Sequence, residues 1–307
     1  MKILITGGGG YLGSMVTAQM LGAGHQVTVV DTFGHGVYSL AIMAANPNLT
    51  IVREDCTSLR ALNQIKSHDV ILPLAAIVGQ AACESRQAEA LLVNQGAIHD
   101  VCRMASPEQV IIFPCTNSGY GIGTDAPCTE ESPLRPLSLY GKTKVQAEED
   151  VMKRENSISL RLATLFGWSM RMRRDLLVND LTWRAHVDRS AVIFEKAARR
   201  NFCHVRDAAR AFLHALENFS VMRGQIYNVG DTRANMTKLQ LCDRISQQRA
   251  FRYLAGDFAA DPDKRDYVVS NDKIEATGWQ PSLTIDQGIT ELLRGYQMMR
   301  GQEHGNC

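Results

Sequence analysis

Long apolar runs are absent from this 307-residue sequence. No stretch approaches the roughly 20 apolar residues that a helix needs to cross a membrane. The first residues, MKILITGGGG, pass from a short apolar segment straight into glycines, whereas an export signal needs a longer apolar core and a cleavage site. We therefore expect no membrane partner and no export.

Cysteines with the spacing of a metal site are also missing. The eight cysteines are scattered along the chain, with no CxxC pair and no Cys/His cluster spaced as zinc ligands are. We therefore expect no bound metal. Scattered cysteines without an export signal are typical of reduced thiols, so we expect a cytoplasmic protein.

The sequence has little net charge, +1, and it lacks a basic tail and any nucleic-acid-binding motif. Residues 1–150 hold 9 Lys/Arg and 14 Asp/Glu, whereas the remainder holds 24 and 18. The basic second half suggests contact with an anion, although surface ion pairs would explain it equally well. We expect a small anionic ligand and no nucleic acid.

Short apolar segments alternate with helical patterns in the first half of the chain. The segment Tyr11–Ala23 has apolar residues at helical spacing and ends at glycines. Strands that alternate with helices form a parallel sheet covered on both faces. We therefore predict an α/β fold with a Rossmann-type, doubly wound parallel sheet. The predicted strands of its first part are Lys2–Ile5, Gln26–Val30, Leu49–Val52, Asp69–Leu74, Val110–Phe113 and Ser159–Leu162.

A glycine-rich segment, TGGGGYLG, lies between the first predicted strand and the first predicted helix. Gly7 permits a tight turn, Gly10 lets the backbone approach a pyrophosphate, and Gly13 lets the helix pack closely on the strand. The N–H groups of Tyr11 and Leu12 open the helix, where its positive end attracts a phosphate. Glycines in this strand–turn–helix context predict a dinucleotide site, whereas a merely flexible turn is the alternative.

An acid follows at the end of the second predicted strand. The carboxylate of Asp31 can accept hydrogen bonds from an adenosine ribose and would repel a 2′-phosphate. The next residues are Thr32 and Phe33, so no arginine directly follows the acid. This pattern favours NAD over NADP as the cofactor.

The pattern changes after Gly167 to an Arg-rich segment and shorter, mixed elements. We predict a helix over Phe202–Glu217 and a strand over Gln225–Val229 that returns to the sheet. The predicted organisation is an NAD-binding Rossmann domain over residues 1–167, to which residues 200–230 return. A smaller, mostly C-terminal α/β lobe over residues 168–307 would bind the substrate.

Several further motifs resemble one known family. The combination is similar to the extended short-chain dehydrogenase/reductases, specifically the NAD-dependent sugar-nucleotide epimerase/dehydratase family, over nearly the whole chain. Besides TGGGGYLG, the motifs are LPLAA at 72–76, FPCTNSGYG at 113–121, PLSLYGKTK at 136–144, RNFCHVRD at 200–207, YNVG at 227–230 and GWQP at 278–281.

The pair Tyr140 and Lys144 carries the predicted chemistry. The two residues lie one helical turn apart and face the same way. A tyrosine is a poor base at neutral pH, but the charges of Lys144 and of an oxidised nicotinamide would stabilise its phenolate. Tyr140 can then remove a hydroxyl proton while hydride leaves the same carbon. The resemblance implies that Lys144 also holds the nicotinamide ribose and that Thr116 hydrogen-bonds the reacting oxygen. The alternative is an exposed Tyr–Lys pair without a catalytic role.

The resemblance also implies a wider set of binding residues. The arginines suit the diphosphate of a nucleotide-linked sugar, because a guanidinium can bind phosphate oxygens bidentately. Expected at the cofactor are Asp55, Cys56, Leu74, Ala75, Ala76 and Asn94, together with Tyr140 and Lys144. Expected at the substrate are Asn117, Ser118, Asp175, Asn179, Arg200 and Arg265.

Departures from the family pattern disfavour some of the reactions that the family catalyses. The 4,6-dehydratases of the family have Asp-Glu directly after the catalytic Thr, and its decarboxylases keep the Glu. Here Asn117 and Ser118 stand there, and neither can act as that acid or base at neutral pH. We predict a nucleotide-sugar epimerase, acting at C4. The alternatives are a nucleotide-sugar 4-dehydrogenase or ketoreductase and a non-catalytic dinucleotide sensor. Thr164 replaces an asparagine that is common in the family, which suggests an unusual sugar.

A homodimer is the family expectation. It would pair the helices around Ala88–Met104 and Tyr140–Met152 in a four-helix bundle across a two-fold axis. Burial of the same helices within one protomer would produce the same apolar pattern.

Overall fold

The computed structural model describes residues 1–124, 126–256 and 265–299. Its strands are β1 (Lys2–Thr6), β2 (Gln26–Asp31), β3 (Leu49–Arg53), β4 (Val70–Pro73), β5 (Val110–Thr116), β6 (Ser157–Leu162), β7 (Thr164–Phe166), β8 (Ser190–Phe194), β9 (Arg199–His204), β10 (Gln225–Val229), β11 (Asn235–Thr237) and β12 (Arg252–Gly256).

The α-helices alternate with these strands in the first half and dominate the second. They are α1 (Tyr11–Gly22), α2 (Leu59–Gln64), α3 (Gln80–Ser85), α4 (Gln87–Leu91), α5 (Ala97–Met104), α6 (Leu139–Val151), α7 (Leu177–Val187), α8 (Val205–Glu217), α9 (Phe219–Met222), α10 (Lys238–Gln248), α11 (Asp272–Glu275) and α12 (Ile285–Tyr296). A π-helical turn at Leu92–Gly96 joins α4 to α5, and a 3₁₀ turn at Asn117–Tyr120 follows β5.

Within the described residues, seven parallel strands form one sheet in the order β10-β6-β5-β4-β1-β2-β3. The order reverses between β1 and β4, which pair from Ile3 and Val70 to Thr6 and Pro73. Loops on either side of such a reversal diverge, so a crevice opens at the carboxyl ends of these two strands. The predicted Rossmann-type fold is confirmed, and this crevice is where its ligand site is expected.

Apolar residues cover both faces of the sheet. Side chains alternate along a strand, so Ile3 and Ile5 face one layer of helices and Leu4 faces the other. The first layer contains α1 packed against α8, and the second contains α5 and α6. Continuous apolar strands such as β1 are what a parallel sheet buried on both faces requires.

A second core lies beyond the sheet. Helices α7, α10 and α12 pack around buried residues that include Leu181, Leu241 and Leu292. Two small sheets accompany them, one of β11, β9 and β7 and one of β12 and β8. The division into two domains at residue 167 stays a prediction, and residues 257–264 and 300–307 of the predicted second lobe lie outside the described residues.

The predicted helix over Phe202–Glu217 is wrong in its first turn. Phe202 and His204 are paired with β7 as part of β9, and the helix begins at Val205. All three residues from Phe202 to His204 are buried, so pairing in the small sheet outweighs the helical pattern that continues after them. The predicted strand Gln225–Val229 is confirmed and pairs with β6.

Candidate active site

The glycine turn after β1 is shaped by close backbone contacts. Gly7 has a φ of +73°, and a Cβ atom there would lie 2.6 Å from the backbone nitrogen of Ala75. A Cβ atom on Gly13 would lie 2.0 Å from the carbonyl oxygen of Gly7. Side chains at these two positions would therefore fill the space in which strand, turn and helix meet.

Helix α1 opens onto this turn. Its capping residue is Gly10, which has no side chain to accept from the first N–H groups of the helix, and its first turn contains no acid. Free N–H groups and the positive end of the helix are what a phosphate binds. Tyr11 places its own hydroxyl on the carbonyl oxygen of Gly167, at 2.8 Å, so only its backbone faces the turn. The turn therefore fits the pyrophosphate of a dinucleotide.

Asp31 ends β2 beside the glycine turn. Its Oδ2 accepts a hydrogen bond of 2.8 Å from the N–H of Gly9, and its Oδ1 accepts one of 2.7 Å from the N–H of Phe33. These bonds fix the carboxylate at the carboxyl end of the strand and leave further lone pairs for a ribose. On the neighbouring loop after β3, the exposed carboxylate of Asp55 accepts from the N–H of Thr57 at 2.8 Å. The predicted contacts of both acids stay predictions.

Cys56 follows Asp55 and is half-buried. Burial, reinforced by the neighbouring carboxylate of Asp55, raises the pKa of its thiol to about 12. The thiol therefore stays protonated at neutral pH and is no nucleophile.

The loop after β4 forms the opposite wall of the crevice. Leu74 donates from its N–H to the carbonyl oxygen of Thr6 at 2.9 Å, and the N–H of Ala75 lies 3.4 Å from the Thr6 hydroxyl. Leu74, Ala75 and Ala76 are half-buried, so they keep some exposed surface. The structure thus places this predicted wall directly beside Gly7.

Asn94 holds the same loop from behind. It is buried in the π-helical turn, where its Oδ1 accepts from the N–H of Ile77 at 2.8 Å and its Nδ2 donates to the Ile77 carbonyl oxygen at 2.9 Å. Both ends of the amide are therefore engaged with the loop. Asn94 thus holds the loop after β4 in position, and its direct contact with the cofactor stays a prediction.

The predicted catalytic residues converge at the carboxyl end of β5. Thr116 is the last residue of this strand, and Tyr140 and Lys144 lie on the first turns of α6, which packs against β5. The Lys144 side chain is 2% exposed, and its Nζ lies 4.0 Å from the ring centroid of Phe113. Tyr140 packs beside Cys83. The alternative of an exposed Tyr–Lys pair does not fit this burial.

The electrostatics around Tyr140 involve residues that the sequence did not assign to it. Burial raises the pKa of its phenol above the ordinary 10.0, and the charges of Arg173 and Arg265 oppose that rise. Both arginines come from the second half of the chain. The contribution predicted for Lys144 stays a prediction.

The ammonium of Lys144 is itself destabilised. Burial lowers its pKa from 10.5 to about 8, and the negative charge of Glu148 only partly opposes the change. At neutral pH the lysine is still charged, so the folded protein carries a buried cation next to Tyr140.

Replacing this lysine has a predictable effect on stability. Between pH 8 and 10.5 the unfolded chain binds more protons at Lys144 than the folded chain does, so this residue's contribution to the free energy of unfolding rises with pH. We expect Lys144→Met to gain stability relative to the parent protein at pH 7, and the gain to shrink by about 3 kcal/mol by pH 10.5. Urea unfolding of both proteins without added ligand measures the difference. A difference that does not change with pH would contradict the assignment.

A buried ion pair supports α6 and was not predicted. Glu148, one turn beyond Lys144, accepts from Arg161 of β6 at 2.7 Å and from the hydroxyl of Ser159 at 2.5 Å. Arg161 also donates to the hydroxyl of Tyr120 at 3.2 Å. The four-residue spacing of Lys144 and Glu148 was the available sequence signal, since it places both on one helix face.

The turn after Thr116 brings the first two predicted substrate residues to the site. The Thr116 hydroxyl accepts from the N–H of Ser118 at 3.1 Å and donates to the Ser118 hydroxyl at 3.0 Å. Asn117 is 1% exposed, and no described residue hydrogen-bonds either end of its side-chain amide. A buried polar group without a partner is costly, so this amide is suited to binding a ligand or a water molecule.

Arg265 reaches the same turn from far along the chain. Its guanidinium donates to the Ser118 hydroxyl. The next residue, Asp266, is clamped by Arg199, whose Nε and Nη2 each donate to its carboxylate at 3.0 Å. Arg200 is 2% exposed and donates from Nη1 to the carbonyl oxygen of Arg199 at 3.0 Å. The predicted anion-binding arginines are thus neighbours in the structure, but Arg265 is bonded to Ser118, next to Thr116.

Asp175 and Asn179 have protein partners in this structure. Asp175 accepts from Arg173, with Nε to Oδ1 at 3.2 Å; burial acts to raise its pKa, but this bond and the arginine's charge outweigh burial and lower it. Asn179 accepts from the N–H of Gly167 at 3.0 Å and donates to the Arg173 carbonyl oxygen at 2.7 Å. Both residues thus hold Arg173 in place, and their substrate contacts stay predictions.

The described parts of the chain contain neither a candidate metal site nor a candidate membrane-spanning helix. Among residues 1–124, 126–256 and 265–299, no three His, Cys, Asp or Glu side chains are grouped so that they could hold a metal ion. None of the helices in those ranges is long and apolar enough to span a membrane.

Comparison with known proteins agrees with this geometry. The family model of the NAD dependent epimerase/dehydratase family matches residues 3–230. A "UDP-glucose 4-epimerase 4" of Oryza sativa subsp. japonica is 30% identical over 181 residues, which are 54% of this chain and 48% of the rice protein, so the match spans about half of that relative. The "Uncharacterized UDP-glucose epimerase YtcB" of Bacillus subtilis (strain 168) is 26% identical over 309 residues, 94% of this chain and 96% of the relative.

A solved structure shares the whole fold. UDP-glucuronic acid 4-epimerase from Bacillus cereus, in complex with UDP-glucuronic acid and NAD, superposes with a TM-score of 0.84 at 20% identity, covering 97% of this chain and 99% of that one. The glycine turn, the uncapped start of α1 and the placement of Asp31 fit that cofactor here. The chain therefore belongs to the NAD dependent epimerase/dehydratase family and is an NAD-dependent enzyme.

Proposed function

We propose that the chain is an NAD-dependent nucleotide-sugar epimerase that acts at C4, through transient oxidation to a keto-sugar and re-reduction. The observation that carries this proposal is the convergence of Thr116, Tyr140 and Lys144 at the crevice, with Asn117 and Ser118 next to the threonine. Two hydroxyl-bearing residues and a lysine at the carboxyl end of β5 support a redox reaction at a single carbon of the sugar.

Each residue of the proposed active site has a separate role. Tyr140 takes the proton of the sugar hydroxyl and later returns it, while Thr116 hydrogen-bonds the same oxygen. Lys144 supplies positive charge to the phenolate and holds the ribose of the cofactor. Bound NAD supplies the hydride acceptor and donor. Arg173, held by Asp175, adds a second positive charge near the phenol.

Elimination of water is disfavoured by the residues that follow Thr116. A 4,6-dehydration needs a base at C5 and an acid at the neighbouring exocyclic carbon, C6, from which water leaves. The amide of Asn117 has no proton that it could exchange as an acid or base at neutral pH. The Ser118 hydroxyl accepts hydrogen bonds from Thr116 and Arg265, and it lacks the negative charge of the glutamate that stands there in dehydratases. Redox at a single carbon remains.

The remaining residues of the site suit a nucleoside diphosphate. Arg200 is buried, carries a fixed guanidinium and lies 5.9 Å from the ring centroid of Tyr267. We assign the diphosphate of the sugar nucleotide to this arginine, because a guanidinium matches two phosphate oxygens. The domain that binds the nucleotide would then be the second lobe, over residues 168–307.

The epimerase proposal predicts how the cofactor behaves. An epimerase returns the hydride to its substrate, so NAD should stay bound through purification and turnover should consume no added NADH. The absorbance at 340 nm during conversion of a nucleotide-sugar panel, with NAD content measured after denaturation, tests this. Stoichiometric oxidation of added NADH would instead identify a nucleotide-sugar ketoreductase, and NAD-dependent accumulation of a keto-sugar a dehydrogenase.

A homodimer and a cytoplasmic location complete the proposal. Helices α5 and α6 pack side by side, and Leu91 and Leu92 near them are about half exposed, which supports a second copy covering this surface. The mass of a single chain in sedimentation would contradict the homodimer.

The proposed cytoplasmic location is supported by the cysteines. The seven cysteines within the described residues are free thiols, as expected in a reducing compartment, and Cys307 lies outside those residues.

A further inference from the structure

Two segments that are far apart in the sequence meet beside Thr116. The turn after β5 supplies Asn117 and Ser118, and the segment after residue 264 supplies Arg265, which donates to the Ser118 hydroxyl. Since Ser118 is itself bonded to the Thr116 hydroxyl at 3.0 Å, the guanidinium lies within two hydrogen-bond lengths of that hydroxyl. The charge of Arg173, on the loop before α7, acts to lower the pKa of Tyr140.

The position of Arg265 beside Ser118 and Thr116 places it away from where the diphosphate is expected. In a hexopyranose the C4 oxygen lies across the ring from the anomeric carbon, which carries the nucleotide. If Thr116 holds the C4 oxygen, groups this close to it face a substituent on a neighbouring carbon, at C3 or C5. Arg265 therefore addresses the sugar, whereas Arg200 remains for the phosphates.

The position of Arg265 is fixed by the fold. Asp266 accepts from the N–H of Arg199 at 2.7 Å as well as from its guanidinium, and its carbonyl oxygen accepts from the N–H of Gly123 at 2.8 Å. These bonds tie the segment both to β9 and to the loop after the Thr116 turn. A guanidinium carried by such a segment reaches the sugar with little freedom to move away.

Asn117 gives a second, independent indication of a ligand. Its side chain is 1% exposed, and neither Oδ1 nor Nδ2 has a hydrogen-bond partner among the described residues. An amide N–H, a serine hydroxyl and a guanidinium are all donors. A group that accepts several hydrogen bonds and carries negative charge matches them best.

We propose that the sugar carries a carboxylate on the carbon next to the reacting one, and that Arg265, Ser118 and Asn117 bind it. The substrate class is thus a nucleotide-linked hexuronic acid, with the carboxylate at C5. This inference rests on the proposed function, because it takes the C4 oxygen to be held by Thr116. Binding of the carboxylate also orients the ring relative to Tyr140.

Binding to the NAD-loaded protein tests the proposal with UDP-glucuronate, UDP-glucose and UDP as probes in calorimetric titrations. The parent protein should bind UDP-glucuronate at least tenfold more tightly than UDP-glucose. Arg265→Met should bring this ratio close to one and leave the affinity for UDP within twofold. Arg200→Met should weaken all three probes by a similar factor, which separates the two arginines.

A second variant guards against misfolding of the first. Asn117→Asp preserves the shape of the side chain but places a negative charge beside the carboxylate, so it should weaken UDP-glucuronate more than UDP-glucose.

The outcomes distinguish this inference from the proposed function. Failure of the parent protein to prefer UDP-glucuronate over UDP-glucose overturns the carboxylate site, and if UDP-glucose is still epimerised the proposed function stands. A clear preference for UDP-glucuronate that Arg265→Met abolishes, without conversion of either sugar, supports the site and overturns the epimerase.

Discussion

Replacement of Tyr140 by phenylalanine is expected to lower turnover by about 10³-fold, because a positioned proton acceptor typically contributes factors of this size. The change removes one oxygen atom and leaves the ring packed beside Cys83. It should therefore leave the glycine turn, Asp31 and the bound NAD unchanged. Steady-state turnover and the NAD content of the purified variant are the measurements.

A matched tyrosine elsewhere in the chain provides the control. Tyr38 is 84% exposed, so Tyr38→Phe removes the same atom without touching the crevice. This variant should retain the parent turnover. Retained turnover in Tyr140→Phe, or loss of NAD together with turnover, would remove the proton-transfer role from Tyr140.

A methyl group at Gly13 is expected to damage both the cofactor site and the fold. The added Cβ would lie 2.0 Å from the carbonyl oxygen of Gly7 and 2.8 Å from the Cα atom of Gly8, and backbone atoms cannot move aside as a flexible side chain can. Forcing extra volume into packed structure costs about 1–3 kcal/mol. We expect Gly13→Ala to lose at least this much stability and to bind NAD at least tenfold more weakly. Urea unfolding and NAD titration measure the two effects.

The same helix offers a glycine with free space. Nothing lies within 4 Å of a Cβ atom on Gly22, the last residue of α1. Gly22→Ala should therefore keep the NAD affinity and gain up to about 1 kcal/mol from the better helix propensity of alanine. Similar effects of the two substitutions would show that crowding at the turn is not what Gly13 avoids.

Features set by local spacing could be predicted from the sequence. The strand–turn–helix around Gly7 and the acid at Asp31 need only a few neighbouring residues, and both are present where expected. Tyr140 and Lys144 share a helix face because they are four residues apart. Parallel strands also bring their carboxyl ends to one edge, so Thr116 could be placed near them without knowing any distance.

Features set by long-range packing could not be predicted. Arg265 meets Ser118 where the next residue, Asp266, is bound by Arg199, and no local sequence pattern predicts that ion pair. Arg173 was overlooked as a neighbour of Tyr140 for the same reason. The sequence pattern assigns Phe202–His204 to a helix, because their partner strand, β7, is remote in sequence and leaves no local signal.

The pair of Glu148 and Arg161 has a consequence for any change made behind the site. An acid whose buried partner has been removed is left with an uncompensated charge, a situation that costs about 3–5 kcal/mol. The nearest cation on its own helix is Lys144, so the acid would compete with the ring of Phe113 for the lysine's head group. A substitution at Arg161, although it lies outside the crevice, would then impair the chemistry at Lys144 in addition to lowering the stability of the fold.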